Sequence, residues 1–147
     1  MFKKLIMFLV GFCVYITIEV CYRGYSYITM GVAGGLLFIL IDGINNKISW
    51  DIDILVQCII GSCAITGCEF IIGTVCNVFG LPQMWNYSNM PLNINGIICL
   101  PFSLLWILVS FVAIILANSI NYYVFDELPV PYYRLFGKVI YRFKNKK

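Results

Sequence analysis

The chain has 147 residues, of which 61% are hydrophobic, 16% aromatic and only 12% charged. A soluble domain carries about 25% charged residues, so this composition, with a mean hydropathy of +0.90, excludes an ordinary water-soluble fold and indicates a protein of the lipid bilayer. The net charge of +3 is unevenly distributed, because six of the ten basic residues lie in the last fourteen positions. In a membrane protein such a cluster favours anionic lipid headgroups as partners, and we expect no nucleic-acid partner.

Four apolar runs predict an all-α protein with four transmembrane helices. A span takes about 20 residues, and the runs are Leu5–Tyr22, Tyr25–Ile44, Ile54 to about Phe79, and Ile97 to about Tyr122. A short polar loop is predicted at Asn45–Asp53, and a polar but uncharged segment, Met84–Phe102, leads into the fourth helix. The predicted domains are therefore a transmembrane domain over residues 1–127 and a basic tail over residues 128–147.

The basic residues predict how the helices are oriented. Lys3 and Lys4 precede the first helix, Lys47 lies between the second and third, and the basic tail follows the fourth, whereas Arg23 is alone at the opposite ends. Lys and Arg collect on the cytoplasmic side of a membrane. We therefore predict a multi-pass protein of the cell membrane with both termini in the cytoplasm and the Met84–Phe102 segment facing outward.

The tail is predicted to form an amphipathic helix that lies in the cytoplasmic headgroup layer. A basic stripe at every fourth residue is opposed by an apolar stripe with i, i+3, i+4, i+7 spacing; the members are Arg134, Lys138 and Arg142, and Phe136, Val139, Ile140 and Phe143. Gly137 opposes this interpretation, since glycine costs about 1 kcal/mol inside a helix. A helix that binds a protein partner is the alternative.

Glu69 is the first candidate for a functional residue, because it is a charge well inside the third predicted span. Such a charge costs about 2.5–3.5 kcal/mol on insertion scales, so it normally faces a cavity or a partner. A substrate, ion or proton site is one interpretation. A carboxyl group that holds the helices together through hydrogen bonds to Asn, Tyr or Trp is the other, and both stay open.

Further polar residues are predicted to converge on the outer ends of the helices. Glu19 and Arg23 are four residues apart, which suits an interfacial ion pair. The outer segment adds amide and hydroxyl groups, and an aromatic ring that also suits an interfacial belt, at Asn86, Tyr87, Ser88, Asn93 and Asn95. Together with Glu69 these residues are the candidate substrate or ion site.

Other site chemistries have no matching pattern. The chain has no His, its seven Cys form no C-x-x-C pair, and it has no Walker A loop, so we expect no metal, no cofactor, no catalytic residues and no enzymatic activity. The pair Gly31 and Gly35, in G-x-x-x-G spacing, predicts close packing against another helix.

The second half of the chain resembles a family of small bacterial membrane proteins called putative ABC-transporter type IV. The resemblance follows a helical Glu and a run of spaced residues at Glu69, Trp85-Asn86-Tyr87-Ser88, Asn93, Gly96, Cys99-Leu100, Ser103 and Trp106. In the first half, Glu19 and Arg23-Gly24 resemble the Glu and Arg-Gly of the family. Asn86 stands where the family pattern has Asp. The resemblance implies a permease.

Two functions fit these observations. The first is a transport component, a small permease subunit with an outward polar site around Glu69, acting as a homo-oligomer or with a separate ATPase subunit that binds the nucleotide. The alternative is a structural or interaction protein, such as a holin-like or membrane-assembly factor, since holins are short, polytopic and basic at the C-terminus. The sequence indicates no particular substrate.

Overall fold

The computed structural model describes residues 2–127 and 129–145, which are mostly helical. The four predicted helices are present, and each begins and ends within a few residues of its predicted bounds: α1 (Phe2–Arg23), α2 (Ile28–Asn45), α3 (Ile54–Val78) and α4 (Leu100–Tyr123). Pro101 lies in the first turn of α4, where the missing N–H would have had no helical partner. Between α3 and α4 the chain forms a small antiparallel pair, β1 (Asn93–Ile94) and β2 (Ile98–Cys99).

The helices have the surface of a membrane protein. Large apolar side chains that a soluble protein would bury are exposed along them, among them Leu9, Leu36 and Ile71. Three helices, α1, α3 and α4, are long and apolar enough to span a bilayer, with mean hydropathies of 2.2, 1.8 and 2.6. The described apolar part of α2, Ile28–Gly43, is shorter, so length and composition support three of the four predicted spans.

Glycines allow α1 and α2 to pack closely. A Cβ on Gly31 would lie 2.5 Å from the ring of Phe12, and one on Gly35 would lie 2.6 Å from the ring of Phe8. Since real side chains essentially never approach so closely, the two rings occupy space that only glycine leaves free. The G-x-x-x-G pair therefore packs against α1 of the same chain.

The prediction of an amphipathic helix in the tail is wrong. The tail forms a β-hairpin of β3 (Tyr132–Leu135) and β4 (Lys138–Arg142), paired antiparallel. Phe136 and Gly137 connect the strands with φ angles of 50° and 75°, and two consecutive positive φ angles are the backbone of a two-residue hairpin turn. Gly137, the residue that opposed the helix, is the residue that makes this turn accessible. Leu128, Lys146 and Lys147 lie outside the described residues.

The hairpin packs against the helices rather than lying apart from them. Tyr133 and Phe143 belong to the same buried cluster as Ile65 of α3 and Trp106 of α4. On the other side, Asp51 of the α2–α3 loop accepts hydrogen bonds from the hairpin, from Tyr132 at 3.0 Å and from Arg134 at 2.7 Å. The hydrophobic core thus runs from the middle of the helices into the tail.

Candidate functional site

Glu69 lies on α3 with only 7% of its surface exposed, and each of its carboxylate oxygens accepts a hydrogen bond. The Tyr87 hydroxyl donates to Oε1 at 3.1 Å, and the Trp106 indole N–H donates to Oε2 at 2.9 Å. Both donors are neutral. Among the described residues, no Lys or Arg forms an ion pair with this carboxylate within 4 Å.

Aromatic rings line the side of the site that faces α1. Tyr87 stacks on Phe102 with ring centroids 4.5 Å apart, and Trp106 lies 6.2 Å from Phe102 and 6.5 Å from Tyr15 of α1. Burial and the nearby charge of Glu69 raise the pKa of the Tyr87 hydroxyl well above its usual range. Tyr87 therefore keeps its proton at physiological pH and stays a donor.

The segment Met84–Cys99, which we call the polar cap, folds over the ends of α3 and α4 and positions Tyr87. The Tyr87 backbone N–H donates to the Gly96 carbonyl at 2.8 Å, and the Trp85 indole donates to the Ile97 carbonyl at 2.8 Å. Ile97 in turn lies against Gly73 of α3, where a Cβ would clash with it. The cap is therefore fixed both to itself and to the helix that carries Glu69.

The amides of the cap build the loop rather than the carboxylate site. Asn86 Oδ1 accepts the backbone N–H of Ser88 at 2.8 Å and its hydroxyl at 2.6 Å, while Asn93 donates to the Met90 carbonyl at 2.9 Å. Asn95 has a φ of 53°, a conformation that Asn tolerates better than most residues. Among the described hydrogen bonds of the cap, the one that reaches Glu69 comes from the Tyr87 side chain.

This geometry explains how Asn86 can stand where the family pattern has Asp. The Oδ1 atom of Asn86 acts as an acceptor for both groups of Ser88. A carboxylate and an amide both provide such an oxygen. The loop-building role is therefore available to either residue.

Glu19 and Arg23 form the predicted ion pair, with 2.8 Å between Glu19 Oε2 and Arg23 Nη2. The Ser26 hydroxyl also donates to Oε2, at 2.5 Å. Arg23 Nη1 donates to the Met84 carbonyl at 3.0 Å. The pair therefore ties the end of α1 both to the α1–α2 turn and to the first residue of the polar cap.

Trp106 was not among the candidate site residues, although it donates directly to Glu69. Two signals could have identified it. It is the last residue of the family pattern, and it carries an N–H that needs an acceptor when the ring is buried in an apolar helix. Glu69 lies 37 positions away along the chain, so no local spacing links the two.

The family comparison agrees with the site. A family model described as putative ABC-transporter type IV matches residues 4–143. The chain belongs to this family. The match includes all four helices, the polar cap and the hairpin, and it confirms the resemblance inferred from the spaced residues around Glu69 and Trp106. No curated protein and no solved structure matches the chain.

Proposed function

We propose that this member of the ABC-transporter type IV family is the membrane component of a transporter, a permease-type subunit whose polar site is centred on Glu69. The observation that supports the proposal is a buried carboxylate held by two neutral donors, Tyr87 and Trp106. An ionisable group inside a membrane is costly unless it serves a site or a partner. A carboxylate without a cationic partner in the described chain is suited to bind a cation or a proton.

The two donors give the carboxylate oxygens different roles. The Trp106 N–H can only donate, so Oε2 accepts whether or not Glu69 is protonated. The Tyr87 hydroxyl can donate or accept. When a proton binds Oε1, the hydroxyl of Tyr87 turns its own proton away and accepts the new O–H. Oε1 is therefore the protonation position that costs no hydrogen bond to the site.

The proposed partners and orientation follow from the sequence. Nucleotide binding, if ATP drives transport, belongs to a separate ATPase subunit, and the permease subunit is proposed to act as an oligomer with both termini in the cytoplasm. Labelling of single reporter cysteines in a background without native cysteines tests the orientation. Asn89→Cys in the polar cap should react with an impermeant maleimide from outside, and Asn145→Cys should not; the opposite pattern refutes the orientation.

The site is tested by Glu69→Gln and Glu69→Ala in liposomes that report proton flux through an internal pH dye. Glu69→Gln keeps the shape of the side chain and an acceptor oxygen but cannot ionise. We expect it to retain the stability of the unmodified protein and to abolish the flux, whereas Glu69→Ala loses both. Glu127→Gln, at the other end of the helices, is the matched control and should leave the flux unchanged.

Two outcomes distinguish the alternatives. If Glu69→Gln carries the same flux as the unmodified protein while Glu69→Ala is only less stable, Glu69 is a structural residue. If neither variant changes stability or flux, the site does not exist.

A further inference from the structure

A groove of about 440 Å³ runs between α1, α2 and α4, beside the aromatic rings of the Glu69 site. Along α4 its lining extends from Phe102 to Leu116, which is about 21 Å at 1.5 Å per residue. Its walls are apolar side chains, including Val14, Leu108 and Val112. Several of these rim residues are exposed, so the groove opens sideways to the lipid.

Charged groups line only one end of the groove within the described part of the chain. Glu19 and Arg23 lie there together with Trp85 and Tyr87 of the polar cap, at the level where α1 ends. A groove that is apolar along its length and charged at one end matches an amphiphile with a long chain and a polar headgroup. The half-thickness of a bilayer core is about 15 Å, so the groove is long enough for a chain that crosses one leaflet.

The charges at this end leave groups of both signs available. The hydrogen bonds from Arg23 and Ser26 both end on Oε2 of Glu19, and none among the described residues ends on Oε1. A guanidinium has five N–H donors, and the described contacts of Arg23, to Tyr25, Met84 and Glu19, use one each on three nitrogens. The end therefore offers an anionic acceptor next to cationic donors.

We propose that the groove binds one chain of a zwitterionic phospholipid with a primary-amine headgroup. The phosphate lies at the remaining N–H groups of Arg23, since guanidinium and phosphate pair in bidentate geometry. The ammonium group donates to Oε1 of Glu19. A headgroup with one charge of each sign leaves the Glu19–Arg23 pair intact, whereas an anionic headgroup would meet the Glu19 carboxylate.

The site is independent of the transport function, because it concerns lipid retention. The test is native mass spectrometry of delipidated protein titrated with phosphatidylethanolamine, phosphatidylglycerol or phosphatidylcholine of the same chains. We expect the amine-headed lipid to bind about tenfold more tightly than the other two. Glu19→Gln should remove this preference while the total lipid bound stays close to that of the unmodified protein. Equal affinities for the three lipids in the unmodified protein would overturn the proposal.

Two leucines on α4 provide a matched pair for the groove itself. Leu108 lines the groove and is 62% exposed, while Leu104 is 56% exposed and does not line it. Leu108→Trp together with Val112→Trp should fill the groove and weaken lipid binding about tenfold, and Leu104→Trp should have no effect. Equal binding by the groove variant and the Leu104 variant overturns the proposal. Dimers that form in place of lipid adducts, and disappear in Leu108→Trp, would show that a second copy occupies the groove and also overturn it.

Discussion

Removing the hydroxyl group of Tyr87 tests the contact on which the polar site depends. Tyr87→Phe keeps the ring that stacks on Phe102 at 4.5 Å and deletes only the donor to Glu69 Oε1, 3.1 Å away. A hydrogen bond to a charged group contributes about 1.5–3 kcal/mol. Because Glu69 is buried, water does not replace the lost donor, and we expect the free energy of unfolding to fall by an amount in this range.

A double-mutant cycle separates this contact from other effects of the substitution. In the Glu69→Leu background the hydroxyl has lost its acceptor, so Tyr87→Phe should cost less than about 1 kcal/mol there. The difference, a coupling of at least about 0.5 kcal/mol, is the energy specific to the pair. The free energies are measured by titrating detergent micelles with SDS and following far-UV circular dichroism.

Tyr141→Phe is the control for loss of a tyrosine hydroxyl, because Tyr141 is exposed on the hairpin. It should leave the unfolding curve unchanged. The reasoning is refuted if Tyr87→Phe is as mild as Tyr141→Phe, or if its cost is the same with Glu69 and with Leu at position 69. Either result would mean that the hydroxyl does not stabilise the carboxylate.

Three further predictions use the same unfolding assay. Gly35→Ala should destabilise the protein because its Cβ meets a ring of α1, whereas Gly67→Ala, with open space around it, should stabilise it by up to about 1 kcal/mol through helix propensity. Gly96→Ala should loosen the polar cap by about 1 kcal/mol or more, because Gly96 has a φ of 67°, and protease cleavage within the cap should become faster. Lys3→Met should cost about 1–3 kcal/mol, since it removes the cation from the buried carboxylate of Asp42, 3.7 Å away.

The helices could be predicted from sequence because each is encoded by one apolar run. A run of this kind has no competing arrangement in a bilayer, where a helix satisfies its own backbone hydrogen bonds. The G-x-x-x-G pair on α2 was predictable for a similar reason, since small residues in that spacing have one main use. The sequence did not predict that the partner helix was α1, because Phe8 and Phe12 carry no signal of their own.

The tail could not be predicted from its spacing, because two periodicities coincide in it. Val139, Ile140 and Phe143 fit a helical stripe, while Val139, Tyr141 and Phe143 alternate as in a strand. The turn at Phe136 and Gly137 decides between them, and its left-handed conformation depends on backbone angles rather than on hydrophobicity. Gly137 was the only local indication, and an apolar-basic pattern outweighed it.

Contacts between distant segments were the least predictable part of the structure. At the end of the helices opposite the polar cap, Lys3 donates to Glu127 at 2.7 Å and Asn121 donates to Asp42 at 2.6 Å. These residues come from α1, α2, α4 and the segment after α4. Each looks like an ordinary helix-end charge or amide until the fold brings them together.

The absence of charge in the polar cap has a physical reason that the structure makes explicit. Its amides satisfy the loop itself, as Asn86 and Asn93 do, and its hydrogen bond to Glu69 comes from a phenol. A Lys or Arg in place of Tyr87 would hold the carboxylate permanently as an ion pair, since an opposite charge nearby favours the charged form. Neutral donors stabilise the carboxylate without neutralising it. A site that must bind and release a cation or proton requires that property, and a purely structural contact does not.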